Sequence, residues 1–436
     1  MLRLVLRDLL ANLRIWLGAL VVAAATAAVA AVCAGLIETG VRTGGNVGLA
    51  LGAISGTVLT FSIVAAVVVT GTVTGLTVAL QRRSYALWQL VGVLPIRVGA
   101  VVRLQLLVVA LAGSGLGCLA MLPFLSPFLT WTLAGSDDFD DLQISFGPIS
   151  AVSVVTLVSG LVVLSGSRAA GRAGRVSPLE SLRDPELARV GIGRRRWFTA
   201  GLLAVLAGLV TVSLHGTAAD RLAVPLMLVS ALLAGSVAAV GPVVLGWVLS
   251  GWTSVVPPEA SVSWYLARAS ARANISRSSA VIGSLMVAVA LVGSFYAANR
   301  TAVPGSDDAS AGTVALILGG PVVLSLLGSA VALAMSGRGR DREVALLRAA
   351  GSDASVLVLA AVWEAIMYVV TAVLLGFAVV VVGTVVGALI ASTTPGWAPA
   401  PVLLIGCAGT VLMLIATVVP TVFTLRRPVL AELATE

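Results

Sequence analysis

Residues 312–391 read GTVALILGGPVVLSLLGSAVALAMSGRGRDREVALLRAAGSDASVLVLAAVWEAIMYVVTAVLLGFAVVVVGTVVGALIA. The apolar runs 312–336 and 355–391 each reach the roughly 20 residues that carry an α-helix across a bilayer. Between them stand Arg338, Arg340, Asp341, Arg342, Glu343, Arg348 and Asp353. Each such charge costs about 3 kcal/mol at the centre of a membrane on insertion scales. The stretch therefore reads as a span, a segment that leaves the membrane, and a second span. That order decides the fold class: an all-α polytopic membrane protein.

The rest of the chain agrees. Of its 436 residues, 59% are hydrophobic and 11% charged, against about 45–50% and about 25% in a soluble domain. The apolar runs lack the alternation of outer-membrane strands. Ten candidate spans follow, at 16–36, 48–79, 104–124, 147–166, 198–215, 222–250, 279–298, 312–336, 355–391 and 401–424. The first run lacks a cleavage site and is followed by further spans, so it is expected to remain as a helix.

Placing the N-terminus in the cytoplasm puts 24 of the 27 arginines on the inner side, leaving only Arg42, Arg221 and Arg300 outside. The inner side is then net +13 and the outer side net −5. This is the positive-inside pattern of a multi-pass protein of the cell membrane, with both termini cytoplasmic. The basic balance needs no nucleic acid; anionic headgroups and an acidic partner surface account for it.

All 27 basic residues are arginine. Without lysine there is no P-loop of the Walker A kind and no Schiff-base lysine. A single histidine, His215, excludes two-histidine metal motifs. Cys33, Cys118 and Cys407 lie in apolar runs and read as small buried hydrophobes. No metal site and no catalytic group is expected.

An offset of 259 residues lays RRSYALWQLVG (82–92) on DREVALLRAAG (341–351). Arg83 meets Arg342, Ala86 meets Ala345, Leu87 meets Leu346 and Gly92 meets Gly351. Gln105 falls opposite Glu364 at the start of the following span. Each half begins with a basic amphipathic segment, 3–16 or 263–279, and closes on a basic-Pro-apolar phrase, 174–183 or 425–433. The expected layout is 4+2+4: a first four-span repeat with its N-terminal amphipathic helix (1–183), a basic linker (184–197), a two-span connecting segment (198–251) and a second four-span repeat (252–436). Same-sense repeats predict a pseudo-two-fold axis along the membrane normal.

The phrase Arg342-Glu343-Val344-Ala345-Leu346-Leu347-Arg348-Ala349-Ala350-Gly351, followed by a span carrying Glu364, resembles the FtsX-like (MacB-type) permease domain of ABC transporters. SPLESLR (177–183) is similar to that domain's closing edge. The ten-span layout is similar to bacitracin-export-type permeases, but lacks their large extracellular domain: the loop between spans seven and eight is only about 299–311. The resemblance implies a permease subunit that couples a separate ATPase to export or membrane extraction of a lipophilic or amphipathic substrate, such as a peptide antibiotic or a lipid. It also implies a role in antimicrobial resistance. ATP and Mg would bind that partner, in two copies per permease chain. The resemblance assigns ATPase coupling to Arg82, Arg83, Leu87 and Gly92 in the first half. In the second half it assigns Arg342, Glu343, Leu346, Leu347, Arg348 and Gly351. The alternatives are a non-exporting mechanotransmitter that controls a cell-envelope enzyme, or an ion-coupled secondary transporter.

Independently of the resemblance, Val344, Leu347 and Gly351 share one helical face and Asp341, Ala345 and Arg348 another. Gly351 is a natural helix stop. The first copy has Ser84 for Glu343, Gln89 for Arg348 and Gln105 for Glu364, so the two segments differ in charge. Gly319, Gly320 and Pro321 inside span eight are the candidate hinge; Pro242 in span six and Pro420 in span ten invite the same reading. Glu364 and Gln105 are the candidate intramembrane polar sites. Glycines four apart, at 48/52/56, 71/75, 113/117 and 383/387, predict close helix packing. Trp16, Trp131, Trp197, Trp252, Trp264 and Trp397 are expected in interfacial belts.

Overall fold

The structure, a computed structural model of the chain, describes residues 7–9, 12–134, 139, 142–173, 194–215, 222–257, 259, 261–273, 275–302, 310–336, 346–390 and 392–425. Among them there is no strand. Nine helices among the described residues are long and apolar enough to cross a membrane, and a tenth crossing is counted if one sharply bent pair is a single span. The chain is thus an all-α, multi-pass membrane protein.

The first five helices are α1 (Leu13–Thr43), α2 (Gly45–Leu80), α3 (Arg82–Leu90), α4 (Pro95–Leu133) and α5 (Pro148–Ala173). Then come α6 (Arg194–Ser213), α7 (Ala223–Ala239), α8 (Gly241–Thr253), α9 (Val262–Ala273) and α10 (Ile275–Ala302). The last three are α11 (Ala311–Ser336), α12 (Ala354–Ile390) and α13 (Pro399–Leu425). Pro95, Pro148 and Pro399 each open a long helix, where the missing N–H has no intrahelical partner to lose. At 39 residues α4 is about 58 Å long, well beyond the ~30 Å hydrocarbon core. It starts about nine residues before the apolar run that announces it.

The chain divides into two compact units: residues 1–189 with 307–324, and 190–306 with 325–436. In the first, α1 packs along α2 and α4, and α5 lies against α1, α2 and α4. The close α1–α4 approach follows from small residues. Gly113 faces the Leu20 carbonyl and Ala23, and Gly117 lies on the backbone of Ala24. Ala23, Ala27 and Ala110 continue that seam against Val154, Val158 and Val162 of α5. A second cluster joins Val32, Cys33 and Leu36 to Leu51, Val58 and Leu125, and takes in Leu316 from the first half of α11.

In the second unit α10 is the central helix: 94% of its most apolar window is buried. It is covered by α7, α12, α13 and α8, with α9 packed chiefly on α12. Gly383 and Gly387 of α12 admit Ser230 and Leu226 of α7. α6 leans on α7, where Ser236 donates to the Ala200 carbonyl (2.9 Å).

The trio α1, α4, α5 of the first unit is matched by α10, α12, α13 of the second, with the same helices in contact. The likeness extends to one end of each trio. The Thr39 hydroxyl oxygen accepts the Ser145 N–H (3.1 Å), and Thr301 accepts the Gly396 N–H (2.9 Å). Each N–H lies three residues before the proline that opens the last helix. Beside Thr39, Glu38 accepts from Gly147 N–H and the Ser150 hydroxyl, both 2.6 Å. Beside Thr301, Arg300 donates to the Trp397 carbonyl (2.8 Å). One construction is thus built with opposite charges.

Expectation and structure meet at several points. The run 222–250 is not one straight helix: α7 and α8 meet at 87° around Val240, with Pro242 in the first turn of α8. α11, in contrast, runs unbroken through Gly319, Gly320 and Pro321. Cys33 and Cys118 are buried, but Cys407 is exposed, on the outward face of α13 with Leu403, Leu404 and Val411. Trp131, Trp197 and Trp397 are exposed, as a belt requires; Trp16 and Trp264 are buried in protein, since α1 and α9 turn them inward. Close packing holds at Gly48, Gly113, Gly117, Gly383 and Gly387, whereas Gly52, Gly56 and Gly75 face open space.

Candidate functional site

Two short segments join a helix to the start of a long span, and they end in the same hydrogen-bonded turn. In the first, Val91, Gly92 and Val93 N–H donate to the carbonyls of Leu87, Gln89 and Trp88 at 3.2, 3.0 and 3.0 Å. In the second, Ala350, Gly351 and Ser352 donate to Leu346, Arg348 and Leu347, all at 3.0 Å. Every donor and acceptor is related by the offset of 259 residues. Both turns are Schellman motifs, in which the residue after the helix is left-handed. Gly92 has φ +95° and Gly351 has φ +91°.

No side chain would meet an obstacle at either glycine, so the cost of substitution is conformational alone, about 1–2 kcal/mol for a residue with a Cβ. Gly92→Ala is accordingly expected to raise exchange of the Val93 amide about 5-fold or more in hydrogen–deuterium measurements. An unchanged rate would show that this turn is not the one formed.

The first segment has two faces. Tyr85 and Ala86 are buried, while Leu87 and Leu90 are exposed. The exposed strip continues past the turn: Val91 and Ile96 are each 87% exposed, with Leu94 between them. On the buried face the Tyr85 hydroxyl donates to the Gln81 side-chain oxygen and approaches that of Gln105 at 3.4 Å. Gln105, fully buried on α4, donates through Nε2 to Asp8 (2.7 Å), and Asp8 also accepts from Asn12 (3.2 Å). Burial, then the negative charge of Asp8, raises the Tyr85 phenol above its usual range. It therefore stays a neutral donor. This network ties the N-terminal segment, α3 and α4 together.

The second segment is held otherwise. Residues 346–349 are helical. Leu346 is exposed, and Leu347 is half-buried. Arg348 donates to the Leu425 carbonyl (2.9 Å), in the last turn of α13. A guanidinium there meets the negative end of the helix dipole. So Arg348, expected as a docking group, also braces α13. Glu364 is buried on α12 and accepts from Tyr368 one turn on (2.6 Å). At the Gln105-equivalent position a phenol is again the partner, but it comes from the same helix.

Arg82 and Arg83 form the first turn of α3; their side chains, together with Arg342 and Glu343, lie outside the described residues. So do Asp137, Asp138, Asp140, Asp141, Asp307 and Asp308, and most of the arginine-rich link at 174–193. Gly319 faces open space, while Gly320 lies against Val29 of α1. Pro321 follows directly on that contact, inside the continuous helix α11.

Sequence reasoning missed Asp8, Gln81 and Tyr85, and the exposed apolar strip beyond Leu87. The i, i+4 pair Gln81/Tyr85 was a visible signal. Its link to Gln105 and Asp8 was not, because those residues meet only through folding.

Among the described residues no group of His, Cys, Asp or Glu is placed to hold a metal. No protein-family model matches the chain, and no curated protein matches it.

Proposed function

We propose that the chain is the membrane subunit of an ATP-driven ABC transporter of the FtsX-like kind. Its ten spans would be arranged 4+2+4 in the bacterial cytoplasmic membrane, with both termini inside. The observation that carries this reading is the turn formed twice. A short helix with an exposed apolar edge runs through a rigid Schellman turn into a helix of 39 or 37 residues. A push on such a helix reaches the far side of the membrane without being absorbed by a loop.

Two such elements call for two copies of a separate ATPase, which would hold the ATP and Mg. The Tyr85–Gln105–Asp8 network adds a second path by which motion of α3 reaches α4. With short outer connections between spans, the driven motion would act on a substrate within the membrane, and a lipophilic or amphipathic molecule such as a peptide antibiotic or a lipid fits that route.

The test is co-expression with a candidate ABC ATPase from the same genome. Stable co-purification and ATP hydrolysis that rises when the two are reconstituted together are expected. Failure to capture an ATPase, or uptake of substrate into vesicles by this chain alone, would overturn the reading.

A further inference from the structure

Two arginines of the second unit stand one turn apart on α9, and the protein leaves them poorly neutralised. Arg272 donates to the Ser250 carbonyl (3.1 Å) and the Thr253 hydroxyl (3.4 Å), closing the last turn of α8. Its Nε is buried without an acceptor, as is that of Arg268. Among the described residues Arg268 has no hydrogen-bond acceptor at all, and neither arginine is paired with a carboxylate. Burial, then the neighbouring Arg268, lowers the pKa of Arg272. Two guanidinium groups one turn apart, each with a buried Nε that lacks an acceptor, form a local positive site suited to an anion.

The surroundings indicate which kind. The 87° bend takes α8 off the axis of α7. Trp247 on α8 is 80% exposed, and Val262 and Tyr265 on α9 are exposed too. Trp252, Trp264 and Trp363 stack edge-to-face at 6.2 and 5.3 Å, fixing α8, α9 and α12 to one another. Exposed apolar and aromatic residues beside guanidinium groups, at a helix that turns away from the membrane-crossing direction, are the chemistry of the headgroup boundary.

We propose that α8 and α9 form a shelf in the plane of the membrane surface that binds an anionic phospholipid. Its phosphate is held by Arg268 and Arg272, and its acyl region lies beside the apolar faces of the two helices. This inference does not depend on the transporter reading.

The test is native mass spectrometry of the full-length protein with added phosphatidylglycerol or phosphatidylcholine. Wild type is expected to retain phosphatidylglycerol in preference. Arg268→Gln should lower that retention about 5-fold, the value of one arginine at an anionic surface, and leave the melting temperature unchanged, because Arg268 makes no hydrogen bond among the described residues. Arg272→Gln also loses the α8 contacts and should lower both. Arg97→Gln, an exposed arginine of the other unit, is expected to bind like wild type. Equal retention of the two lipids, or unaltered phosphatidylglycerol binding by Arg268→Gln, would overturn the proposal. Displacement of the lipid by inorganic phosphate at equal headgroup concentration would do so too, since it would mark a site for the free ion.

Discussion

Gly117→Val is expected to abolish recovery of folded protein, while Gly75→Val is expected to leave it intact. A Cβ at position 117 would lie 2.6 Å from the Ala24 carbonyl carbon and 2.7 Å from its Cα. These are backbone atoms of a buried helix, so no side-chain rotation relieves the clash and α1 and α4 must separate. Separation opens the seam at Gly113 and the Ala23–Ala27–Ala110 cluster with it. Overpacking costs about 1–3 kcal/mol where side chains can yield; with backbone on the far side, about 3 kcal/mol or more is expected. That is a large part of the roughly 5–15 kcal/mol that holds a folded protein together. A Cβ at Gly75 meets nothing. Fluorescence-detected size exclusion and thermal unfolding of the two variants side by side make the comparison. Equal recovery would show that α1 and α4 are not in this contact.

The second large effect concerns docking of the proposed ATPase at the two turns. Leu87→Asp with Leu90→Asp places charge in the middle of the exposed strip that includes Val91, Leu94 and Ile96. Co-purification of the ATPase is expected to fall at least about 10-fold, at low and high salt alike, because apolar contact is not screened. The second segment is the charged one, with Arg342, Glu343 and Arg348 where the first has Arg83, Ser84 and Gln89. Arg342→Ala with Glu343→Ala is expected to weaken binding most at low ionic strength. At high salt the loss relative to wild type should shrink, since exposed charges more than about 10 Å apart are screened at 0.1 M salt. We expect this second contact to be the tighter of the two at low salt. A larger loss from Arg82→Ala with Arg83→Ala would reverse that ranking, without touching the proposal that both segments dock.

Much of the fold could be read directly. The spans follow from run length and charge, because an apolar helix satisfies its own backbone and needs no partner to be recognised. The two glycine stops could also be read: a short helix ending in Gly before a new helix is a local signal, and the hydrogen bonds at Gly92 and Gly351 are local too. The candidate hinge Gly319-Gly320-Pro321 lies within a continuous helix α11, where Gly320 also admits Val29. The 87° turn occurs at Val240, before Pro242. A proline in the first turn of a helix and one inside a helix look alike in a sequence; which it is depends on where the preceding helix stops.

The sequence by itself determined that this protein crosses a membrane many times as helices, that it holds neither lysine nor a second histidine, and that one segment occurs twice. These are properties of composition, run length and near-neighbour hydrogen bonding. The tertiary structure alone decided which glycines are contacts. It turned Trp16 and Trp264 inward, set Arg348 on the end of α13, and buried the Arg268 Nε without an acceptor among the described residues. Each of those depends on residues tens or hundreds of positions apart, and only folding fixes their separation in space.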